Sequence, residues 1–165
     1  MPTANFIRVD LDLIEPGFRS KLFELIAACN ARGAEYVATR GYSTYGAQMA
    51  LWAKGRTTPG QKVTNAQGGH SAHNFGVAMD FVLDKSPMSG LQPDWSKDAF
   101  TIITEEAIKA GLHTGADYGD APHISLPTYV TSADMAPLRA AWDASEKKEP
   151  VTLARLQEVW KVIKP

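Results

Sequence analysis

Residues 77–82 read Val-Ala-Met-Asp-Phe-Val, and they constrain the fold of this chain more than any other segment. Side chains alternate between the two faces of a strand, and both faces are apolar here except at Asp80. Such a pattern is typical of a central strand that is covered on both sides. A carboxylate at that position loses several kcal/mol of hydration unless it is paired or binds a metal. We therefore expect Asp80 to lie in a functional or paired polar site.

The rest of the chain reads as helices around a few short strands. Apolar periodicity and capping signals predict helices over residues 16–32, 44–54, 97–110, 134–142 and 153–163. Apolar stripes are predicted on the second helix, at Ala47, Leu51 and Trp52, and on the last, at Leu153, Leu156, Trp160 and Ile163. Short strands are predicted at residues 36–39, 77–83 and 123–126, with connecting segments at 55–69, 86–95 and 145–150.

This order of elements indicates an α+β fold, with a small antiparallel sheet flanked by helices. The length of 165 residues fits a single domain, with a core over about residues 16–144 and a C-terminal helix over about 151–163. We expect the domain to be a monomer. The lone cysteine, Cys29, lies in an apolar stretch and is expected to be a buried thiol.

Charge and hydrophobicity exclude several kinds of partner. Lys and Arg total 17 against 18 Asp and Glu, so no global basic field attracts nucleic acid. No apolar run approaches the roughly 18 residues that membrane insertion requires. The first residues lack the basic and apolar regions of a secretory signal, which predicts synthesis and retention in the cytoplasm until something else releases the protein.

Two stretches carry the residue types of a metal site. His73 precedes the strand that holds Asp80, and Gly76 permits the turn that folds the imidazole back over the carboxylate. His123 begins a second strand, and pairing of the two strands brings it to the same point. Two histidines and a carboxylate make a zinc site with one open position. They also describe non-haem iron sites and satisfied buried pairs, so spacing leaves these alternatives open.

Other polar residues near these stretches have candidate roles. Asp120, three residues before His123, is placed to act as general base on a metal-activated water. His113 is a candidate for the cleft wall. His70 is either a contact near the metal or an exposed loop histidine.

The motif around these residues resembles that of the LAS-type zinc peptidases. This family includes D-alanyl-D-alanine carboxypeptidases and the L-alanyl-D-glutamate endopeptidases of phages and bacilli. Its motif Ser-x-His-x-x-Gly-x-Ala-x-Asp is matched by Ser71, His73, Gly76, Ala78 and Asp80. The second motif of the family is an acidic residue three positions before a zinc-binding histidine, and it is matched by Asp120 and His123. Residues 48–60 resemble the block that precedes the motif in the L-alanyl-D-glutamate branch, and residues 63–66 continue that likeness.

The resemblance implies one Zn²⁺ per chain, held by His73, Asp80 and His123 in a cleft on the sheet, with Asp120 as catalytic base. The implied substrate is a peptidoglycan stem peptide, cut between L-alanine and D-glutamate, with Ser71, His113 and Tyr118 as predicted substrate contacts. The resemblance also suggests a phage endolysin that reaches the wall after another protein opens the membrane. The alternatives are a D-alanyl-D-alanine carboxypeptidase or dipeptidase, and a zinc-containing binding module without catalysis.

The chain departs from the family pattern at one position. Relatives have Gly-Tyr-Arg-Thr before the second helix, and their arginine is thought to stabilise the oxyanion or bind substrate. Here Ser43 stands in its place, within Gly-Tyr-Ser-Thr. Arg40, three residues earlier, is the predicted replacement, and Arg56 is a second candidate. A solvated surface charge is the alternative interpretation of Arg40.

Overall fold

The computed structural model describes residues 3–145 and 151–164. Within them, short 3₁₀ turns connect five helices and five strands. The helices are Pro16–Ala31 (α1), Tyr45–Ala53 (α2), Thr101–Lys109 (α3), Ala136–Ala144 (α4) and Val151–Trp160 (α5). The strands are Tyr36–Arg40 (β1), Ala78–Asp84 (β2), Pro93–Asp94 (β3), His113–Gly115 (β4) and Asp120–Ser125 (β5). The predicted α+β class is confirmed.

The strands form one antiparallel sheet in the order β1-β2-β5-β4, and β3 also pairs with β2. Strand β2 is central and covered on both sides, as its apolar pattern predicts. Met79 and Phe81 are fully buried in a cluster that includes residues of α1 and α3. Val77 and Ala78 belong to a second cluster, with Leu138 of α4 and residues of α5. Asp80 thus sits between two apolar layers.

Helix α1 follows the predicted bounds closely. Glu15 caps its first turn by accepting a hydrogen bond from the Phe18 amide at 2.6 Å, and Pro16 takes the position where a missing N–H costs nothing. The predicted apolar face is buried, including Cys29 at 0% exposure. Burial raises the pKa of the Cys29 thiol to about 12, so this thiol is a core group.

Helix α2 begins after Thr44, whose hydroxyl accepts a hydrogen bond from the Ala47 amide at 3.0 Å. The apolar stripe predicted on this helix is only partly covered, since Leu51 and Trp52 are half-buried. Its buried side chain is Gln48, which is 1% exposed, whereas Ala47 is exposed. The short helix turns a polar side chain inward because that side of it faces a cleft instead of the apolar core.

Several boundaries differ from the predicted ones. The predicted third helix divides into a 3₁₀ turn, Lys97–Phe100, and α3. Strands β3 and β4 were not predicted from the sequence. They have only two and three residues, and such short runs show no periodic alternation of apolar and polar side chains. Strand β5 begins at Asp120 instead of residue 123. No helix or strand is assigned within residues 55–69, as predicted for that loop.

The last helix docks on the domain through part of its predicted stripe. Leu156 is fully buried, together with Val159, which the stripe did not include. Trp160 lies at the edge and donates its indole N–H to the Phe75 carbonyl at 2.8 Å. Most of the predicted charged connection, residues 146–150, lies outside the described residues. Within the described ranges, no helix has the length and hydrophobicity needed to cross a bilayer.

Candidate metal centre and cleft

A capped turn presents His73 to the central strand. The 3₁₀ turn Ala72–Phe75 begins at Ser71, whose hydroxyl accepts from the His73 amide, and Asn74 completes a capping box. Gly76 ends the turn at φ 68°, and a side chain there would overlap the carbonyl oxygen of Leu13. The glycine in the motif is therefore required both by its backbone angle and by close packing.

The structure brings His73, Asp80 and His123 together. Asp80 and His123 are direct partners in the pairing of β2 with β5, so their side chains share one face of the sheet. Asp80 Oδ1 lies 3.1 Å from His73 Nε2 and 3.4 Å from His123 Nδ1. The three potential ligand atoms all lie within 4.8 Å of one another. The predicted convergence of these residues is present.

The donor set fits a cation. His73 Nδ1 lies 2.8 Å from the Gly41 carbonyl, which only accepts, so Nδ1 carries the proton. In the neutral ring, Nε2 then holds a lone pair directed at the Asp80 carboxylate. Two acceptors at 3.1 Å need a proton or a metal ion between them. A carbonyl that orients a metal-binding histidine in this way is the usual support of such a ligand.

The same contacts control the ionisation of Asp80. Burial by itself would raise the pKa of this carboxyl, but the adjacent His73 and His123 outweigh burial and hold the pKa well below its usual range. Asp80 is consequently an anion at neutral pH. A half-buried anion beside two imidazole nitrogens has the charge that a divalent cation needs.

Asp120 begins β5 and lines the same cleft as the three ligand candidates. Its side chain is exposed, yet desolvation by the surrounding protein raises the pKa of its carboxyl above the usual range. The nearby Asp80 carboxylate adds to this rise, while the two histidines and Arg40 oppose it. A carboxyl with a raised pKa is a better proton acceptor than an ordinary aspartate.

Arg40 reaches the cleft from β1. An irregularity in the pairing after Ala38 makes Arg40 the direct partner of Asp80, so Arg40, Asp80 and His123 form one row across three strands. Arg40 Nη1 lies 3.9 Å from Asp80 Oδ2, and Nη2 donates to Gln48 Oε1 at 2.6 Å. Burial lowers the pKa of this guanidinium, against the pull of Asp80 and Asp120.

Arg56, the other arginine candidate, has a different set of contacts. Arg56 donates to the carbonyl oxygens of Trp52 and Thr64 at 2.6 and 3.0 Å, and its guanidinium lies 4.7 Å from the centre of the Trp52 ring. It is not among the residues that line the cleft. Arg56 therefore supports the long loop, and Arg40 is the arginine at the cleft.

The cleft has a volume of about 910 Å³. Two of the three predicted substrate contacts, Ser71 and Tyr118, line it, but His113 does not. His113 instead stacks on Tyr118, with ring centres 5.7 Å apart and Nε2 at 2.9 Å from the phenol oxygen. In contrast to the expectation, His113 is therefore not among the lining residues but packs against one of them, Tyr118. His70, left open in the sequence, does line the cleft.

Gln48 is a site residue that sequence reasoning missed. Its Oε1 accepts from Arg40, and its Nε2 donates to the Ala66 carbonyl at 2.8 Å. Gln48 thus fixes the arginine against the long loop. One available signal was a glutamine set among apolar residues of a predicted helix, with no partner in its own segment.

Comparison with known proteins places the chain in a family. The model of the VanY family, described as D-alanyl-D-alanine carboxypeptidase, matches residues 12–118. The chain belongs to this family, and the resemblance drawn from the motifs is confirmed. The matched residues include His73 and Asp80 but end before Asp120 and His123, so the last two site residues rest on geometry and motif.

Two individual proteins are similar to the chain. The first is the peptidoglycan L-alanyl-D-glutamate endopeptidase CwlK of Bacillus subtilis (strain 168), which is 32% identical over 122 residues, or 68% of this chain and 73% of that protein. The second is the crystal structure of the L-Ala D-Glu endopeptidase ChiX of Serratia marcescens. It superposes with a TM-score of 0.49 and 16% identity, covering 73% of this chain and 89% of that one.

Proposed function

We propose that this protein is a zinc-dependent peptidase that hydrolyses peptidoglycan stem peptides, at the bond between L-alanine and D-glutamate. The observation that carries the proposal is the convergence of His73, Asp80 and His123 within 4.8 Å, in the same cleft as Asp120. Three ligands with one open position are the arrangement of catalytic zinc sites. The specificity for this bond is supported by the activity in the name of the Bacillus relative.

Zinc fits the donor set, because it accepts imidazole nitrogen and carboxylate oxygen in one site. When bound, the ion would supply Lewis acidity toward a carbonyl oxygen and lower the pKa of water in the cleft. Asp120 would take a proton from the attacking water at its carboxylate and pass it to the leaving amine. The raised pKa of Asp120 supports this role, because the group must hold the proton between the two transfers.

Arg40 would act on the developing negative charge of the substrate carbonyl. Its position in register with Asp80, and its tie to Gln48, support this role, because a preorganised cation stabilises charge at little cost in reorganisation. In this proposal Arg40 replaces the arginine that relatives have at the position of Ser43. Ser71 and Tyr118 would contact the substrate from the walls of the cleft.

A second candidate function has one specific observation in its favour. The matching family model is described by the activity D-alanyl-D-alanine carboxypeptidase, which removes the last residue of a stem peptide. The catalytic residues would be the same in both reactions. The difference would lie in how the cleft accommodates the peptide on either side of the bond.

Digestion of purified peptidoglycan, followed by mass spectrometry of the products, separates these functions. A new D-glutamate amino terminus supports the endopeptidase, and released D-alanine supports the carboxypeptidase. No product with fully metallated protein contradicts both and supports a binding module. Metal content is measured in parallel by elemental analysis, where about one zinc per chain is expected and His123→Ala should lose it.

The biological setting is part of the proposal. Residues 48–60 and 63–66 resemble the L-alanyl-D-glutamate branch, which includes phage enzymes, and this likeness supports a proposed role as a phage endolysin that acts on the wall after release. We propose that the protein acts as a monomer with the stem peptide as its only partner. Light scattering of the purified chain and a lysis assay on permeabilised cells test these two points.

A further inference from the structure

The lining of the cleft includes a histidine with a specific set of partners. His70 and Ser132 both line the cleft. His70 Nδ1 lies 2.5 Å from the Ser132 hydroxyl and 3.4 Å from Arg139 Nη1. Arg139, which is half-buried, also donates to the carbonyl oxygens of Gly69 and Ser132, both at 3.1 Å. The guanidinium therefore joins the segment before the metal motif to the segment before α4.

These partners favour one tautomer of His70. Arg139 Nη1 directs its two hydrogens at the carbonyl oxygens of Gly69 and Ser132, and its positive charge 3.4 Å from Nδ1 favours a lone pair there over an N–H. The Ser132 hydroxyl then donates to Nδ1. The proton of the neutral ring is then on Nε2. Burial and the positive charge of Arg139 both lower the pKa of His70, which keeps the ring neutral. Because Nδ1 is already engaged, the Nε2–H is the donor that His70 can offer to a ligand in the cleft.

The electrostatic environment favours an anionic ligand. The hydrogen bonds described for Arg139 are all to neutral oxygen or nitrogen atoms, so none of them pairs its positive charge with a carboxylate. Asp143 lies one turn further along α4, but the described residues include no ion pair between it and Arg139 within 4.0 Å. A fixed N–H donor beside a half-buried cation is a suitable site for a carboxylate.

We propose that His70, held by Ser132 and Arg139, binds a free carboxylate of the substrate, namely the α-carboxylate of the γ-linked D-glutamate. This assignment rests on the proposed L-alanyl-D-glutamate activity. In that substrate the nitrogen of the scissile bond and the α-carboxylate are attached to the same carbon. His70 lines the same cleft as His73, Asp80 and His123, so a peptide bond held at those residues places its neighbouring carboxylate within the cleft that His70 lines. His70 is thereby a specificity residue.

A matched pair of substrates tests the assignment. Two stem peptides are compared that differ only in whether the D-glutamate α-carboxyl is free or converted to its amide. For the wild-type protein we expect kcat/KM to be about five- to tenfold higher on the free acid, mainly through KM, because the amide keeps an acceptor but loses the charge.

Two variants of the same residue provide the control. His70→Asn places an amide near Nδ1, which keeps a partner for Ser132 but removes the outer donor. His70→Gln is longer and places an N–H close to the position of Nε2. We expect the preference for the acid to fall to about twofold or less in His70→Asn and to be largely retained in His70→Gln. A purely structural role of His70 would not separate the two variants by this ratio.

The outcomes distinguish the two proposals. Equal kcat/KM of the wild-type protein on acid and amide refutes the carboxylate assignment and leaves the endopeptidase function standing. An undiminished preference in His70→Asn refutes the assignment to His70. If neither peptide is cut between L-alanine and D-glutamate, the proposed function fails and the assignment fails with it. Thermal unfolding of both variants verifies that the measured ratios come from folded protein.

Discussion

Replacement of Arg40 by alanine tests the point at which this chain departs from its family. The guanidinium lies 3.9 Å from Asp80 Oδ2 and is 30% exposed. Opposite unit charges about 4 Å apart interact by about 4 kcal/mol at an effective dielectric constant near ~20. An oxyanion at a comparable distance from the guanidinium would interact with it similarly, and partial solvent screening reduces this to about 3 kcal/mol, which corresponds to roughly a hundredfold in rate. We therefore expect Arg40→Ala to lower kcat by about a hundredfold.

The assay measures kcat and KM on a stem peptide, together with zinc content and the midpoint of thermal unfolding. Arg56→Ala is the matched control, because Arg56 donates to the carbonyl oxygens of Trp52 in α2 and Thr64 in the long loop and does not itself line the cleft. It should lower stability while costing far less turnover than Arg40→Ala. Arg40→Lys keeps the charge but cannot reproduce the planar fork, so it should recover only part of the loss. Added guanidinium ion should partly rescue Arg40→Ala.

Two results would refute the reasoning about Arg40. An Arg40→Ala protein with normal zinc content and turnover within about twofold of wild type would leave the oxyanion to the metal and to another donor. Equal losses in Arg40→Ala and Arg56→Ala would instead indicate that both variants disturb the long loop. Loss of zinc in Arg40→Ala would show that the arginine holds Asp80 in place and does not act on the substrate.

Three further predictions concern the base, the turn and the core thiol. Asp120→Asn should lower turnover by about 10²–10⁴-fold at unchanged zinc content. Because the base works deprotonated, wild-type kcat/KM should also fall as the pH drops through the raised pKa of Asp120. Full activity or loss of zinc in the variant would contradict this role. Gly76→Ala should lower the free energy of unfolding in urea by at least about 2 kcal/mol, since the new Cβ would overlap the Leu13 carbonyl. Gly33 has a similar φ and open space around it, so Gly33→Ala should lower that free energy by only about 1 kcal/mol. Equal losses in the two variants would refute the packing argument. Cys29 should react with a thiol reagent only as fast as the protein unfolds, and rapid labelling under native conditions would contradict its burial.

Much of the fold and the centre of the site can be predicted from local sequence. The apolar pattern around Asp80 predicts a central covered strand, and the helical spacing in residues 16–32 predicts α1, because burial of a regular element imposes a period on its side chains. The motif residues His73, Gly76 and Asp80 act within one turn and one strand, so their relation is nearly local. His123 could be placed beside them because a second strand is predicted to begin at His123, and that strand can pair with the strand that holds Asp80.

What surrounds that centre depends on contacts between distant segments. Arg40 enters the cleft because the pairing of β1 with β2 is irregular after Ala38, and a shift of one residue would turn its side chain to the other face. Gln48 is buried because the long loop and Arg40 provide its partners. His113 stacks on Tyr118, which lines the cleft, and His70 contacts Arg139 of α4. A local pattern shows which side of an element is apolar, but only tertiary packing determines which distant residues that element meets.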